Sequence, residues 1–410
     1  MPATRIISAP WVVPIVSPPL PEGAVALDGD GRVVAVGPRR EIVGGWPGLP
    51  EQRAEGALLP GLVNAHTHLE LAHYAGAVPG GNGLVAWVEK LLALSRPTEA
   101  QARSAAEAAA RAAHALGTAA IGDVGNTVNA VPGIGAAGLQ GVFFHELLGS
   151  REARTGDALA DAARERDALA ATTGWPHKLG YVPAPHVPYS VGPDLFRRIF
   201  AEAARIGRAT TVHVAEGQGE LALLLDGEGP WVEILERMGV PEGSRTPGLR
   251  PVPYLASLGA FDGPQPPLLV HMVLAGEEDL ALARRHQAPV VLCPRSNLHV
   301  ANRLPDVPAM VQQGLDLALG TDSLASAPDL SLWAEMRALA GAFPQLPPLV
   351  WLRAATAGGA RALGLGAMGA ITPGKRPGLI DVSLGEPGDP VAALVREPRP
   401  KVRWMERAWG

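Results

Sequence analysis

Between Leu58 and Leu365 the sequence alternates short apolar runs with longer stretches whose apolar residues recur with the period of a helix. Short runs rich in Val, Leu and Ala are typical of buried strands. The eight predicted strands are Gly61–His66, Ala119–Asp123, Gly141–Glu146, Lys178–Pro183, Thr210–Val214, Pro267–His271, Pro289–Cys293 and Asp316–Gly320. The helices predicted between them include Glu99–Leu116, Pro193–Ile206, Gly276–His286 and Val307–Gly314. Eight strand-then-helix units in order predict an α/β fold, a parallel (β/α)8 TIM barrel, with its chemistry at the carboxyl ends of the strands.

The two ends of the chain follow a different pattern, in which short apolar runs are separated by turn-forming residues. The runs predicted to be strands are Trp11–Val16, Gly23–Leu27 and Arg32–Gly37 near the start, and a run within Gly374–Leu384 and Val402–Trp404 near the end. A Gly-Asp-Gly tip between two Val- and Ala-rich runs indicates a hairpin. We therefore expect residues 1–57 and 368–410 to form one small β-sandwich domain, and residues 58–367 to form the barrel.

Two segments that follow predicted strands are longer than ordinary loops. They are Glu70–Leu94, after strand one, and Gln218–Leu258, after strand five. The second contains a helical pattern at Trp231–Met238 and a stretch rich in Pro, Gly and Arg at Pro241–Pro253. We interpret both segments as surface insertions of the barrel.

Composition and charge narrow the class of protein. Hydrophobic residues make up 47% of the 410 residues and charged residues 18%, which suits a large buried core rather than a disordered chain. The 35 basic and 40 acidic residues form no block of like charge, which argues against a nucleic-acid or membrane-surface partner. The single cysteine, Cys293, excludes an internal disulfide, and the apolar run Trp11–Val16 is too short to span a bilayer. Without a signal-peptide pattern at the start, we expect a cytoplasmic protein, with the oligomeric state open and a homodimer included.

Histidine and acidic residues fall at one end of the predicted barrel strands. The candidate metal ligands are His66, His68, His213 and Asp322. Residues i and i+2 of a strand face the same side, so the His-Thr-His sequence directs two imidazoles into the barrel mouth. Taken singly, each residue has an ordinary alternative, such as a buried hydrogen-bonded histidine or, for Asp322, a helix N-cap. Their coincidence on one face predicts a site for a divalent metal ion, Zn²⁺ or Fe²⁺, with a position left for water.

These motifs resemble those of a known family. Pro60–His68, His213–Glu216, His271 on strand six and Leu319–Asp322 are similar to the amidohydrolase superfamily, in its cytosine/adenosine deaminase-like branch. That branch includes S-adenosylhomocysteine deaminases, guanine deaminases and chlorohydrolases. The resemblance implies a metal-dependent hydrolase that acts on carbon–nitrogen bonds of cyclic amidines. Binuclear members of the superfamily use a lysine at the end of strand four. The corresponding Ala184–Ser190 contains none, which favours a single metal.

The resemblance also implies roles for individual residues. His271 and Asp322 would orient the attacking water and accept its proton, and Glu216 would protonate a ring nitrogen of the substrate. His186, Trp87 and Arg295 are candidate substrate contacts, by the positions that they occupy. Each has a structural alternative: a histidine held between prolines, a core tryptophan and a surface salt bridge. His145 and Glu146, at the end of strand three, could also reach the pocket.

Within the branch, the resemblance is strongest to the aminodeoxyfutalosine deaminases, carried by Cys293–Asn297, Thr321–Ser326 and Arg250–Leu258. It implies removal of ammonia from an adenine-type nucleoside in menaquinone biosynthesis. Other deaminases of the branch (for adenosine, S-adenosylhomocysteine or guanine) and chlorohydrolases remain alternatives. A non-catalytic metal-binding barrel is a further alternative, against which Glu216 and His271 speak. The stretch Gly374–Asp381 is a loose version of a family motif near the C-terminus, which leaves the detail of the β domain open.

Overall fold

The computed structural model describes residues 2–149, 155–237, 246–385 and 388–408. Within these ranges, the strands before the barrel are β1 (Arg5–Val12), β2 (Leu20–Leu27), β3 (Val33–Pro38), β4 (Glu51–Arg53) and β5 (Ala57–Pro60). The barrel strands are β6 (Leu62–Thr67), β7 (Thr118–Gly125), β8 (Gln140–Leu147), β9 (Leu179–Pro185), β10 (Thr211–Val214), β11 (Leu268–His271), β12 (Val290–Leu292) and β13 (Leu317–Leu319). The last strands are β14 (Leu379–Val382) and β15 (Val402–Glu406).

The helices of the first half are α1 (Arg39–Gly45), α2 (Leu84–Leu92), α3 (Glu99–Ala115), α4 (Val131–Ala136), α5 (Thr155–Thr173), α6 (Pro193–Ile206), α7 (Gln218–Asp226) and α8 (Trp231–Arg237). Those of the second half are α9 (Pro251–Ser257), α10 (Glu277–Arg285), α11 (Pro294–Ala301), α12 (Val307–Gln312), α13 (Leu332–Ala342), α14 (Pro348–Arg353), α15 (Gly359–Ala362) and α16 (Pro390–Arg396). Short 3₁₀-helices span Leu69–Tyr74 and Val128–Ala130, and a π-helix spans Ala354–Gly358. None of the described helices has the length and apolar character needed to cross a bilayer.

The predicted barrel is confirmed. Its strands form two parallel sheets, β6-β7-β8-β9 and β10-β11-β12-β13, and each predicted strand overlaps an observed one. Backbone hydrogen bonds join the two sheets at both seams. The amide of His213 donates to the carbonyl of His186 over 3.0 Å at one seam, and the amide of Thr321 donates to the carbonyl of His66 over 3.0 Å at the other. The carboxyl ends of β6, β10 and β13 therefore meet around one opening.

The barrel strands are buried on both faces. Every residue of β6, β7 and β8 is buried, because one face lines the barrel and the other lies under the surrounding helices. This is the expected pattern for a parallel sheet, and it explains why these strands appear in the sequence as continuous apolar runs. Buried polar residues such as His66, His213 and Asp123 are therefore exceptions that require a specific reason.

The terminal strands pair in one seven-stranded sheet of order β15-β14-β5-β1-β2-β3, with β4 also on β1. The first strand lies earlier than predicted: it begins at Arg5 and ends at Val12, since Pro14 has no amide to continue the pairing. The short strands β4 and β5 were not predicted. The carboxylate of Asp381 joins the two ends of the chain by accepting hydrogen bonds from the amides of Glu55 and Gly56, 3.0 and 2.9 Å away. The division into domains at residues 57 and 368 stays a prediction.

Both insertions contain helices. The segment after β6 forms a 3₁₀-helix and α2, and the segment after β10 forms α7, α8 and α9. The predicted helix Trp231–Met238 is observed as Trp231–Arg237. Met238, and Pro241 to Arg245 of the predicted irregular stretch, lie outside the described residues. Because each insertion follows the carboxyl end of a strand, its helices can cover the barrel mouth.

Candidate active site

Four histidines and one aspartate meet at the carboxyl ends of the barrel strands. The Nε2 atoms of His68 and His213 are 3.2 Å apart, and Oδ1 of Asp322 lies 3.7 Å from His68 Nε2 and 3.9 Å from His66 Nε2. The ring of His66 lies 4.9 Å from the ring of His213 and 5.9 Å from the ring of His271, measured between centroids. The structure thus brings the four predicted ligands together, with His271 beside them.

The donor set fits a divalent cation. Among the described residues, neither ring nitrogen of His66 has a hydrogen-bond partner, although the ring is fully buried. An unpartnered buried imidazole is costly unless something else satisfies it. Two groups of residues each bring one donor atom per residue to within 4.8 Å of the others. The first group is His66, His68 and Asp322, and the second is His66, His213 and His271. Imidazole nitrogens with one carboxylate are a typical ligand set for zinc or iron.

Burial keeps these imidazoles neutral. It lowers the pKa of His66 well below its ordinary value, and it lowers the pKa of both His68 and His271 to about 3. Burial acts in the opposite direction on Asp322, but the imidazoles of His68 and His271 lower the pKa of that carboxyl on balance. Neutral imidazoles beside an ionised carboxylate are the protonation states in which these side chains bind a metal.

The backbone is strained where the candidate residues leave their strands. Ala215, His271, Met272 and Asp322 have positive φ angles of 54°, 75°, 51° and 56°. Non-glycine residues avoid this region unless the surrounding structure holds them there, and such residues cluster at functional sites. At His271 and Asp322 the unusual backbone belongs to the candidate residue itself.

Two residues of α11 contact the candidate residues directly. The hydroxyl of Ser296 donates to Oδ2 of Asp322, and Ser326 donates to the same oxygen. The side-chain amide nitrogen of Asn297 lies 3.0 Å from Nδ1 of His271 and donates to it. The roles of Ser296 and Asn297 were not predicted from the sequence. Their contacts depend on where α11 begins relative to β11 and β13.

Arg295, in the same segment, does not reach the site. Its guanidinium contacts the buried carboxylate of Glu335 over 2.6 Å and the carboxylate of Asp329 over 2.8 Å. It does not line the cavity described below. The structure therefore favours the salt-bridge alternative, and the expected substrate contact of Arg295 is corrected: its positive charge is already paired inside the fold.

Glu216 lies at the edge of the cluster, with Oε1 3.6 Å from Nε2 of His271. Burial raises its pKa well above the usual value, and the nearby carboxylates of Asp322 and Glu220 act in the same direction. The fully buried Glu220 holds this turn, because its two oxygens accept hydrogen bonds from the amides of Ala215 and Glu216, each 2.9 Å long. Sequence reasoning missed Glu220. Its spacing of four residues after Glu216 was the available signal.

A cavity of about 270 Å³ opens from the metal-ligand cluster toward the two insertions. One wall comes from α2, including Trp87, and another from α8, including Trp231. His186 and Glu216 also line it, so the structure places two of the three predicted substrate contacts, His186 and Trp87, at the cavity. None of the described residues that line it is lysine or arginine.

Two neighbouring residues of β8 point to different places. The ring of His145 lies away from the cavity, 3.0 Å from the hydroxyl of Tyr181 and 3.6 Å from the carboxylate of Glu165. Glu146 lines the cavity and lies 3.4 Å from Nδ1 of His213. Adjacent strand residues face opposite sides, so only one of this pair can reach the pocket.

Comparison with known proteins gives consistent results. Residues 57–403 match the model of the amidohydrolase family. The chain is 32% identical to an aminodeoxyfutalosine deaminase of Deinococcus radiodurans, over 83% of this chain and 81% of the relative. It is 27% identical to a 5-methylthioadenosine/S-adenosylhomocysteine deaminase of Pelotomaculum thermopropionicum, over 89% of this chain and 81% of the relative. Its fold is similar to a crystal structure of Helicobacter pylori aminofutalosine deaminase in complex with methylthio-coformycin, with a TM-score of 0.84, 24% identity and coverage of 99% of both chains.

Proposed function

The chain belongs to the amidohydrolase family, and on that premise we propose that it catalyses the hydrolytic deamination of an adenine-type nucleoside. One observation carries the proposal: the carboxyl group of Glu216 lies beside the histidine cluster at the base of a largely apolar cavity. This arrangement puts a proton donor and a metal-ligand set on the same small region of a bound molecule.

In the proposed site His66, His68, His213 and Asp322 would hold one divalent cation, Zn²⁺ or Fe²⁺. When bound, such a cation lowers the pKa of water toward neutrality and so supplies a nucleophile at ordinary pH. Asp322 has one oxygen fixed by Ser296, which leaves Oδ1 facing the imidazoles. The hydrogen bond from Asn297 fixes the ring of His271 in the same region.

The chain's own groups move the protons. Water adds to the amino-bearing carbon of the purine, and Asp322 takes up a proton from it, while His271, whose Nδ1 accepts the hydrogen bond from Asn297, uses its Nε2–H to orient the water. Glu216 protonates the adjacent ring nitrogen and is reprotonated in the course of the reaction. The carbon–nitrogen bond then breaks, the amino group takes up one proton and leaves as ammonia, and a carbonyl remains on the ring. Of the two protons of water, one ends on the ring nitrogen and one on ammonia, so the reaction balances.

For the specific substrate we propose aminodeoxyfutalosine, which would place the enzyme in menaquinone biosynthesis. The 32% identity to the aminodeoxyfutalosine deaminase of D. radiodurans supports this choice. The apolar walls formed by α2 and α8 also suit it, since they offer Trp87, Leu91 and Ile234 to a flat aromatic substituent on the sugar.

A second candidate is deamination of 5′-methylthioadenosine. The absence of lysine and arginine among the described residues that line the cavity favours it, because a neutral methylthio group needs no cationic partner. The aromatic substituent on the sugar of aminodeoxyfutalosine is a benzoate, and its negative charge would have to remain in contact with water or with residues outside this lining.

The test is ammonia release from a panel of aminodeoxyfutalosine, 5′-methylthioadenosine, S-adenosylhomocysteine, adenosine and guanine by the metal-loaded protein. We expect Glu216→Gln to lower kcat by about 10²- to 10⁴-fold, the usual contribution of a general acid or base, with the metal content unchanged. The matched control is Glu165→Gln, a carboxylate that is not part of the cavity lining, which should retain activity. A wild-type protein that deaminates none of these compounds would contradict the proposal, as would a fully active Glu216→Gln variant.

A further inference from the structure

Glu146 is a buried acidic residue in the cavity that the proposed mechanism does not use. It lies next to the end of β8, and its side chain is 5% exposed. The side-chain amide of Asn126 donates to Glu146 Oε2 and to the Glu146 carbonyl, both over 3.1 Å. The backbone amide of Asn126 is in turn held by Glu70 over 2.8 Å. These contacts fix one oxygen of Glu146 and so determine where the other one points.

The other oxygen, Oε1, has no hydrogen-bond partner among the described residues. It lies 3.4 Å from Nδ1 of His213, but that nitrogen already faces the carbonyl of His186 at 3.1 Å. Because a neutral imidazole has a single N–H, the carbonyl suffices to orient His213 with Nε2 toward the cluster. Glu146 is therefore not needed to position this ligand.

A buried carboxylate oxygen without a donor is costly, so a molecule that fills the cavity gains binding energy if it supplies one. His186 provides a second polar position beside it. Its Nδ1 lies 2.8 Å from the hydroxyl of Ser190, and one nitrogen of its ring lies within 4.8 Å of a Glu146 oxygen. The walls that α2 and α8 contribute, which include Leu84 and Leu235, are mostly apolar. In a nucleoside, the sugar hydroxyls are the donors that take no part in deamination.

Resting on the proposed function, we propose that Glu146 is a specificity residue, whose Oε1 accepts a hydrogen bond from a hydroxyl group on the sugar of the substrate. Glu146 then selects ribonucleosides over their deoxy counterparts, while Asn126 and Glu70 keep its carboxylate aimed into the cavity. The reacting base and the metal ligands are unaffected by this contact.

The experiment compares adenosine, 2′-deoxyadenosine and 3′-deoxyadenosine as substrates, and inosine with its two deoxy forms as inhibitors, for the metal-loaded wild type and for Glu146→Ala. A hydrogen bond to a charged group corresponds to about 10- to 100-fold in affinity. We expect Glu146→Ala to lower kcat/KM for adenosine, and to weaken inhibition by inosine, by about that factor. The deoxy analogue that lacks the contacted hydroxyl should change by less than about 3-fold, because it never made the contact.

The milder variant Glu146→Gln, which preserves the shape of the side chain, tests the same point if the alanine variant fails to fold, and Glu165→Gln is the control for charge removal nearby. Equal losses for ribo and deoxy compounds would overturn the inference. So would loss of the metal in Glu146→Ala, or a second metal ion per wild-type chain that the variant lacks, since Glu146 would then act on a cation. If the wild-type protein turns over no nucleoside, the proposed deaminase function is itself contradicted. That outcome is distinct from a failure of the Glu146 inference, which is measured on an active wild type.

Discussion

At the scale of single residues, two buried side chains near the site, the imidazole of His66 and the thiol of Cys293, differ in whether they can bind a metal ion. His66 is fully buried with both ring nitrogens unpartnered among the described residues, as expected of an imidazole that binds a metal ion. Cys293 is equally buried. Its sulfur packs against Gly320, two residues before Asp322, where a Cβ added to the glycine would lie 3.0 Å from the sulfur. Burial raises the pKa of this thiol well above its usual value, so it stays protonated and is a poor metal ligand.

The first prediction separates these two neighbours. We expect His66→Ala to lose the bound metal and the activity, because a ligand and the ring that fills the centre of the cluster disappear together. Cys293→Ala should retain about one ion per chain, as a mononuclear site requires. Metal analysis of the purified variants decides the point, with circular dichroism to confirm folding. Retention of metal by His66→Ala, or its loss from Cys293→Ala, would reverse the assignment.

At the scale of elements, the junction between β10 and α7 determines where Glu216 lies. Ala215 has a φ of 54°, and the carboxyl group of Glu220 binds the two successive amides that this turn exposes. Burial raises the pKa of Glu220 to about 7, although the hydrogen bonds from Ala215 and Glu216 work against the shift. A turn held by one buried carboxyl group has a stability that depends on pH.

The second prediction follows from the sign of this shift. Since the pKa of Glu220 rises from 4.5 in the unfolded chain to about 7 in the folded one, its contribution to stability is complete below pH 4.5 and is lost as pH rises through 7. Glu220→Gln removes this dependence. We expect the Tm of the wild type, relative to the variant, to fall between pH 5 and pH 8, by the equivalent of at most about 3 kcal/mol. A difference that does not vary with pH would show that the two amides keep the carboxylate ionised.

At the scale of the whole molecule, contacts between distant parts of the sequence close the structure. The barrel closes where His66 of β6 meets Thr321 after β13, and Asn64 links the same seam by donating to the Thr321 hydroxyl over 2.8 Å. The terminal sheet closes where Asp381 accepts the amides of Glu55 and Gly56. The loose C-terminal motif of the sequence thus has a structural role in joining the two ends of the chain.

The third prediction concerns that second closure. Asp381 is 3% exposed and also contacts Arg403 over 2.8 Å. Asp381→Ala leaves two backbone amides without an acceptor, and we expect the free energy of unfolding to fall by about 2 kcal/mol or more in chemical denaturation. The control Asp194→Ala removes an exposed carboxylate that, within the described part of the chain, forms its ion pair with Arg197 on the same helix, and it should change stability by less than about 1 kcal/mol. Equal effects of the two substitutions would contradict this role.

The sequence by itself determined most of the elements and all four candidate metal ligands that the structure brings together. The barrel strands are continuous apolar runs because both of their faces are buried, and a polar residue at the end of such a run is visible without a structure. Local spacing sufficed for His66 and His68, because residues i and i+2 of a strand face the same side whatever the rest of the fold does. The order of the strands then placed His213, His271 and Asp322 at the same end of the barrel.

Only the tertiary structure decided which other side chains join them. Arg295, Ser296 and Asn297 are consecutive, yet the first pairs with Glu335 and the other two contact Asp322 and His271. Glu146 reaches the cavity while His145 turns to Tyr181. Such contacts depend on the rotation of a helix or strand about its axis, which long-range packing sets and a short stretch of sequence does not encode. The same packing leaves the cavity free of lysine and arginine among its described residues, a property that no motif in the sequence displays.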